Sequence, residues 1–511
     1  MYTFSSKLKT FAFALMIIGA LGIAYGFFTA PKTTADIKEM LHDAEGDHAS
    51  ISTHDAVADS HEQEGEKHVE ATHKEEETHA ENTEAVKEEI AEVLTQIDTT
   101  KYVEEAHEEA AEEHKEEVHT VVETHAEEGG RDDHGMSEEE HLEHALTQAQ
   151  NRPWAAVYIA MIFFLLLTVC AFVYYCIQRA ASAGWSPVLF RVMEGVSAYI
   201  LPGSIIVLIF LALSAMHNNH MFAWMYTSTD PTAVNYDFAM ETKGWWLNVP
   251  GFLARAVVYV LIWVGFRHFI VKNSRAQDTA NDLKAFHKNF TLSVVFLVVF
   301  LVSELFMAFD WLMSIDHHWF SQLYSFYVFA SMFVSGITVI AFITIYLRSR
   351  GFLPYVNDSH IHDLAKYMFA FSIFWTYLWF AQFMLQWYAN IPEEAAYFFP
   401  RLIGEYQPIF ISMLVMNFAF PILLLMNSDY KRVPWFVILA GLVILSGHYL
   451  DIFILVSPGT VGSTWHFGIP EISGILFFAG LFIFVVFNSL TKAPLHAKGN
   501  PLMKESEIYH Y

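Results

Sequence analysis

The sequence predicts an all-α polytopic membrane protein with about ten transmembrane helices, and three observations carry that expectation. Of 511 residues, 54% are apolar and only 17% charged, far from the balance of a soluble domain. The apolar residues gather in runs of about 20, enough to cross roughly 30 Å of hydrocarbon as helix. Basic residues fall on alternate connections between those runs, the pattern that orients helices across a bilayer.

Taken in order, Lys7 and Lys9 precede an apolar run from Phe11 to Phe28. Its end, G-F-F-T-A-P-K, puts bulky Phe28 at the -3 position and Pro31 just after Ala30, which is poor for cleavage, so 1–34 reads as a retained anchor helix. Residues 35–150 change character: they hold 37 Asp or Glu against 7 Lys or Arg, a net of -30, whereas the whole chain carries -27. The remainder is therefore slightly basic. Such a stretch cannot build a packed core and reads as an acidic His/Glu-rich insert, largely disordered or loosely helical. It holds 14 of the 26 histidines, mostly five to seven apart; that spacing rarely places two imidazoles at i, i+4, although a loose collection of zinc or copper is the competing use.

From Trp154 onward, spans are expected near 154–177, 192–216, 249–271, 288–314, 322–347, 364–389, 402–426, 434–457 and 470–490. They make a nine-helix membrane domain over 151–495 with a tail at 496–511. The basic connections carry Lys7 and Lys9, Arg179 and Arg191, Lys272 to Lys288, Arg348 and Arg350, Lys431 and Arg432, and Lys492 and Lys498. Those sides are expected to be cytoplasmic, with both termini inside and the insert outside the cytoplasmic membrane of a bacterium.

Cysteine use excludes several chemistries. Cys170 and Cys176 are the only two, so no C-x-x-C-H can attach a c-type haem and no four-thiolate cluster can form. No Gly-rich phosphate loop follows a strand pattern. Any electron carrier must lie in another chain, and no metal ligand set is expected in the membrane body.

The chemistry-bearing residues lie inside the apolar runs. Glu304 and Asp310 end one run, followed by the turn Asp316-His317-His318-Trp319. A charge in hydrocarbon costs about 2.5 to 3.5 kcal/mol, so these carboxylates should face helices or water. They are six residues apart, off one face, and need not share a partner; Arg255 could neutralise one of them. Trp375, Trp379, Gln382 and Gln386 recur at helical spacing on one face. His448 and Asp451, at i, i+3, can hydrogen-bond each other or share a partner; Glu405, near an outer helix end, could join them or simply sit as a charge favoured at a helix N-terminus. With the orientation above, these groups crowd the outer half of the membrane. An outer polar crevice facing a dry inner half is expected, in the manner of a half-channel.

The runs F-M-A-F-D-W-L-M-S-I-D-H-H-W-F-S (306–321) and W-F-A-Q-F-M-L-Q-W-Y-A-N-I-P-E-E (379–394) resemble the ActF subunits of alternative complex III, which are similar to the NrfD and polysulfide-reductase membrane subunits. The resemblance covers roughly residues 154–490. It implies two four-helix bundles with peripheral helices, in a respiratory quinol:cytochrome c or quinol:electron-acceptor oxidoreductase. It implies as partners a multihaem cytochrome c, an iron–sulfur subunit, a sister NrfD-like subunit, a small membrane subunit, a monohaem cytochrome c and, in some complexes, a terminal oxidase. The residues that match its polar motifs are Asp310, Asp316, His317, His318, Gln382, Gln386, Glu393 and Glu394. The acidic insert departs from the family core.

The function expected on these grounds is that of a subunit without its own redox centre. It would contribute a proton path through Glu304, Asp310, His448 and Asp451 and, at a surface shared with partners, a place for menaquinone or another quinone. Lipid is its solvent, and nucleic acid is not an expected partner. A competing expectation is a divalent-metal transporter whose histidine-rich loop gathers the ion; it requires paired His or carboxylates at mid-membrane on facing helices. A b-type cytochrome would require two deep histidines facing each other.

Overall fold

A computed structural model describes residues 2–38, 138–233 and 235–510. They belong to two compact units, Thr33–His144 and the larger Met1–Lys32 with Ala145–Tyr511. In the smaller unit, a helical turn follows Thr33, whose backbone N–H donates to Asp36 Oδ2 at 3.0 Å while Asp36 N–H donates to Thr33 Oγ1 at 3.3 Å. Most of the acidic insert expected at 35–150 falls on 39–137, outside the described residues.

Among the described residues, ten helices are long and apolar enough to cross a membrane: α1 Ser6–Thr29, α2 His141–Ala180, α3 Pro187–Ala215, α4 Val249–Gln277, α5 Lys284–Trp311, α6 Tyr324–Ser349, α7 Asp358–Ala389, α8 Gln407–Leu425, α9 Pro434–Val456 and α10 Ile469–Leu490. Backbone pairing of the β type is confined, among these residues, to an isolated bridge between Ser228 and Tyr236. The starts follow local chemistry. Asn248 caps α4 by accepting from Gly251 N at 2.9 Å, and the Asn357 side chain accepts from Ser359 N and His360 N to start α7.

Two boundaries differ from expectation. Helix α2 is already formed at His141 and runs through Pro153, rather than starting at Trp154; the Ala-, Leu- and Gln-rich stretch before the proline is strongly helix-forming, and it outweighs the missing N–H. Helix α8 starts at Gln407 rather than near 402, and it is interrupted by a π-helical turn over Val415–Ala419. Pro421 cannot donate to the carbonyl of Asn417, and a widened turn is one way a helix accommodates that gap.

The packing follows from which helices are apolar on all sides. In α2 and α6, 89% of the most apolar window is buried, against 28% in α4, α7 and α8, so α2 and α6 form the centre. There Gly336 of α6 lies against the α2 backbone at Leu167 and Ala171, an approach that leaves no room for a Cβ. Helices α2 to α5 and α6 to α9 make two four-helix groups, while α1 lies along α10 at the side, with Gly19 against the backbone of Phe477. Outward faces carry large apolar side chains such as Leu21, Leu261, Tyr377 and Leu423, whereas acids lie inside, the reverse of a water-soluble surface.

Both ends of the chain meet at one end of the bundle. Tyr2 packs on Phe352 at 5.0 Å between ring centres, and near the C-terminus Tyr509 accepts from Asn357 Nδ2 at 2.6 Å and donates to Asp363 at 2.5 Å. The opposite end gathers the 216–248 connection, the 312–323 turn and the 390–406 segment.

Candidate functional site

The acids expected inside the membrane are buried, each in its own setting. Asp310 is fully buried near the end of α5. It accepts from Arg255 Nε at 2.7 Å and Nη2 at 2.8 Å, from Tyr259 Oη at 2.8 Å and from Trp246 Nε1 at 2.8 Å. The Arg255 guanidinium also lies 4.0 Å over the Trp246 ring. Its four acceptor positions are filled, so Asp310 clamps the 216–248 connection to α4 and α5 and has no lone pair left to pass a proton.

Glu304, two turns deeper, is partnered only through Oε2, which accepts from Ser325 Oγ at 2.9 Å; Oε1 has no partner. It borders a cavity of about 10 Å³ walled otherwise by groups such as Cys170, Trp263 and Met332, at the lower limit for one water. An ionised Glu304 would have one donor and no cation against it. As the spacing implied, Glu304 and Asp310 share no partner.

The third group is the most connected. Asp451 on α9 is fully buried and accepts from Tyr327 Oη, from Ser331 Oγ at 2.6 Å and from Trp375 Nε1 at 3.0 Å. His448 Nδ1 stands 3.6 Å from Asp451, too far for a direct hydrogen bond; Ser331 joins them, 2.9 Å from Nδ1. The other ring nitrogen, Nε2, is buried without a partner. One residue back, Gly447 lies against Asn417 of the π turn, whose side-chain oxygen and nitrogen are both buried and unpartnered.

Outward from Asp451, Tyr327 borders a cavity of about 20 Å³ shared with Gln382, Tyr397 and Arg401. That is room for about one water, and Gln382 Oε1 has no protein partner. Arg401 is buried, lies 3.4 Å over the Tyr397 ring and donates to Asp316 Oδ2 at 2.9 Å, and Asp316 is the half-exposed end of the row. Gln386 is buried one turn further along α7, also with its Oε1 unpartnered. Glu405 is exposed on the turn before α8 and does not join His448 and Asp451; Glu393 is exposed as well.

His317 and His318 turn away from this row to Asp237. His317 Nε2 lies 2.7 Å and His318 Nε2 3.3 Å from Asp237 Oδ2, with all three ligand atoms within 4.8 Å. Two imidazoles and a carboxylate at such spacing could hold zinc or copper with an open position. This differs from the expectation of no metal ligand set, and it lies on connections outside the spans rather than at mid-membrane. Burial pushes the His317 imidazole below its usual range, only partly opposed by Asp237. For Asp237, burial pushes upward, but the His317 hydrogen bond, the two imidazoles and the Ala239 N–H together hold it below the usual carboxylate range.

Where an outer polar crevice was expected, the described interior holds cavities of about 10 Å³ at Glu304 and about 20 Å³ at Gln382, and its polar groups are partly paired with one another and partly, as at Glu304 Oε1, Gln386 Oε1 and His448 Nε2, without a protein partner. Sequence reasoning missed Tyr327, Ser331 and Arg401. A signal existed for the first two: Tyr327, Ser331, Ser335 and Thr338 repeat at three and four residues along an otherwise apolar α6.

The fold and this interior define the class: an all-α multi-pass membrane protein with acids buried in paired networks. No protein-family model matches the chain, and no curated protein matches it.

Proposed function

We propose that this chain is a membrane subunit of the ActF type in a respiratory quinol oxidoreductase like alternative complex III, without a redox centre of its own, and that it carries protons through the outer half of the membrane. The observation that supports this most directly is the row Asp316, Arg401, the small cavity at Gln382, Tyr327, Asp451, Ser331 and His448. It runs from a half-exposed carboxylate to a buried imidazole nitrogen without a partner. Tyr327, Ser331 and a water each donate and accept, which a proton relay needs, while Arg401 holds the entry electrostatically. In this proposal the end of the bundle holding Asp316 faces the periplasm of a bacterial inner membrane, both termini face the cytoplasm, and quinone binds at a surface shared with the partner subunits.

The test is made in the assembled complex. Asp451→Asn and Tyr327→Phe should leave assembly intact and lower quinol-dependent electron transfer or its proton coupling by about tenfold or more. Unchanged turnover and coupling in both variants would remove the row from the mechanism. Extraction in mild detergent should bring haem- and iron–sulfur-containing partners with the chain.

The Asp237, His317 and His318 group favours a second function, divalent-metal transport with that group as the collecting site. Metal uptake that disappears in His317→Ala, with quinol oxidation absent from the purified assembly, would select it.

A further inference from the structure

At several buried or half-buried arginines of this bundle the chain itself supplies the carboxylate: Arg152 meets Glu471, Arg191 meets Glu194, Arg255 meets Asp310 and Arg401 meets Asp316. One group of four cations stands together without such a partner among the described residues. At the end of the bundle that holds the termini, a cavity of about 470 Å³ opens between α3, α4 and α10, and its walls carry Arg267, Lys272, Arg275 and Lys492 with no carboxylate. None of the four forms an ion pair with a described acid. Arg267 has a single weak acceptor, Ser197 Oγ, 3.2 Å from its Nε. The Nε of Arg275 is buried with no acceptor at all.

Positive charge at this end is ordinary for a membrane protein, and alone it would leave the cations in water. Here Arg267 and Arg275, eight residues apart on one face of α4, are both partly buried around one hollow. Like charges gathered in a half-dry space repel unless an anion lies among them. The rest of the wall is apolar: Leu201, Val271 and Phe484 line it, and Leu201 is 48% exposed toward the side of the bundle where lipid would lie. A site with a cationic floor and an oily flank, at headgroup depth, matches a phosphate ester that carries acyl chains.

We propose that this cavity is a binding site for the phosphate group of an anionic phospholipid, held by the forked guanidinium donors of Arg267 and Arg275 with Lys272 and Lys492 at the mouth. Arginine is suited to this because its planar fork matches two phosphate oxygens at once. The lipid then supplies the charge that the chain omits and wedges α3, α4 and α10 together. This site stands apart from the proton row and does not depend on it.

The test uses the purified full-length chain in mild detergent, followed by intrinsic tryptophan fluorescence on heating, with added phosphatidylglycerol, phosphatidylcholine or inorganic phosphate. Phosphatidylglycerol should raise the midpoint by several degrees and phosphatidylcholine should not, because a ligand that binds only the folded state stabilises it by mass action. The shift should vanish in Arg267→Gln/Arg275→Gln and shrink in Lys272→Gln/Lys492→Gln, whose exposed side chains can be changed without disturbing the core. Mass spectrometry of the chain released from detergent should find one anionic lipid fewer in the arginine variant. Equal shifts with both lipids, or the same shift in wild type and both variants, would overturn the proposal. Inorganic phosphate that reproduces the shift and displaces the lipid would reassign the site to a soluble phosphate and overturn it as a lipid site.

Discussion

Arg255 and Asp310 show how a single pair can do structural work where chemistry was expected. The carboxylate has four donors, one of them the Trp246 N–H, and is fully buried, so removing the cation leaves a buried charge. Arg255→Ala should destabilise the protein by about 3 to 5 kcal/mol, and Arg255→Leu with Asp310→Leu should recover most of it, because an apolar pair of similar volume avoids the desolvation cost. Thermal unfolding in detergent checks both. The sequence placed Asp310 inside and named Arg255 as a possible neutraliser, since an acid in hydrocarbon has few alternatives. It could not say that Tyr259 and Trp246 would fill the remaining acceptor positions, because they come from 51 and 64 residues away. Asp451 illustrates the same limit: its neighbour at i-3, His448, was legible, but the partners that decide its role, Tyr327 and Trp375, lie on other helices.

Among the elements, the turn after α5 is the one whose meaning changed most. Read along the chain, Asp316, His317 and His318 form one polar cluster. In the structure the turn divides them, sending Asp316 to Arg401 and the two imidazoles to Asp237. The pH dependence of this contact has a definite sign. His317 is held below its ordinary value of 6.5, so the unfolded chain takes up a proton that the folded chain resists, and stability falls as pH drops below about 6.5. Asp237 is held below 3.8, so its contribution is present above that value and is lost as pH falls through the lower folded value. Near neutrality only His317 titrates, so amide protection in the 216–248 connection, measured against the intrinsic slowing of exchange at lower pH, should fall between about pH 7.5 and 5.5. Zinc should oppose this at neutral pH and protect His317 and His318, residue by residue, from carbethoxylation. Protection that persists in Asp237→Asn would show that the carboxylate is not a ligand.

At the scale of the whole molecule, the two chain ends share one end of the bundle, as alternation of basic connections across an even number of spans requires. Single cysteines at Asp230 and Gly351 should therefore react from opposite sides of sealed vesicles with an impermeant maleimide, the second from the cytoplasmic side in the proposed orientation. Labelling of both from one side would break the ten-span topology. The sequence by itself determined the all-α membrane class and the helices long and apolar enough to cross a membrane, because hydrophobic length acts locally, one helix at a time. Only the tertiary structure decided which acids are sealed by partners, which belong to a connected row, and where four cations face a hollow without a counter-charge. Hydrogen bonds and ion pairs join atoms that are near in space, and in a bundle of ten helices nearness in space is set by packing rather than by order along the chain.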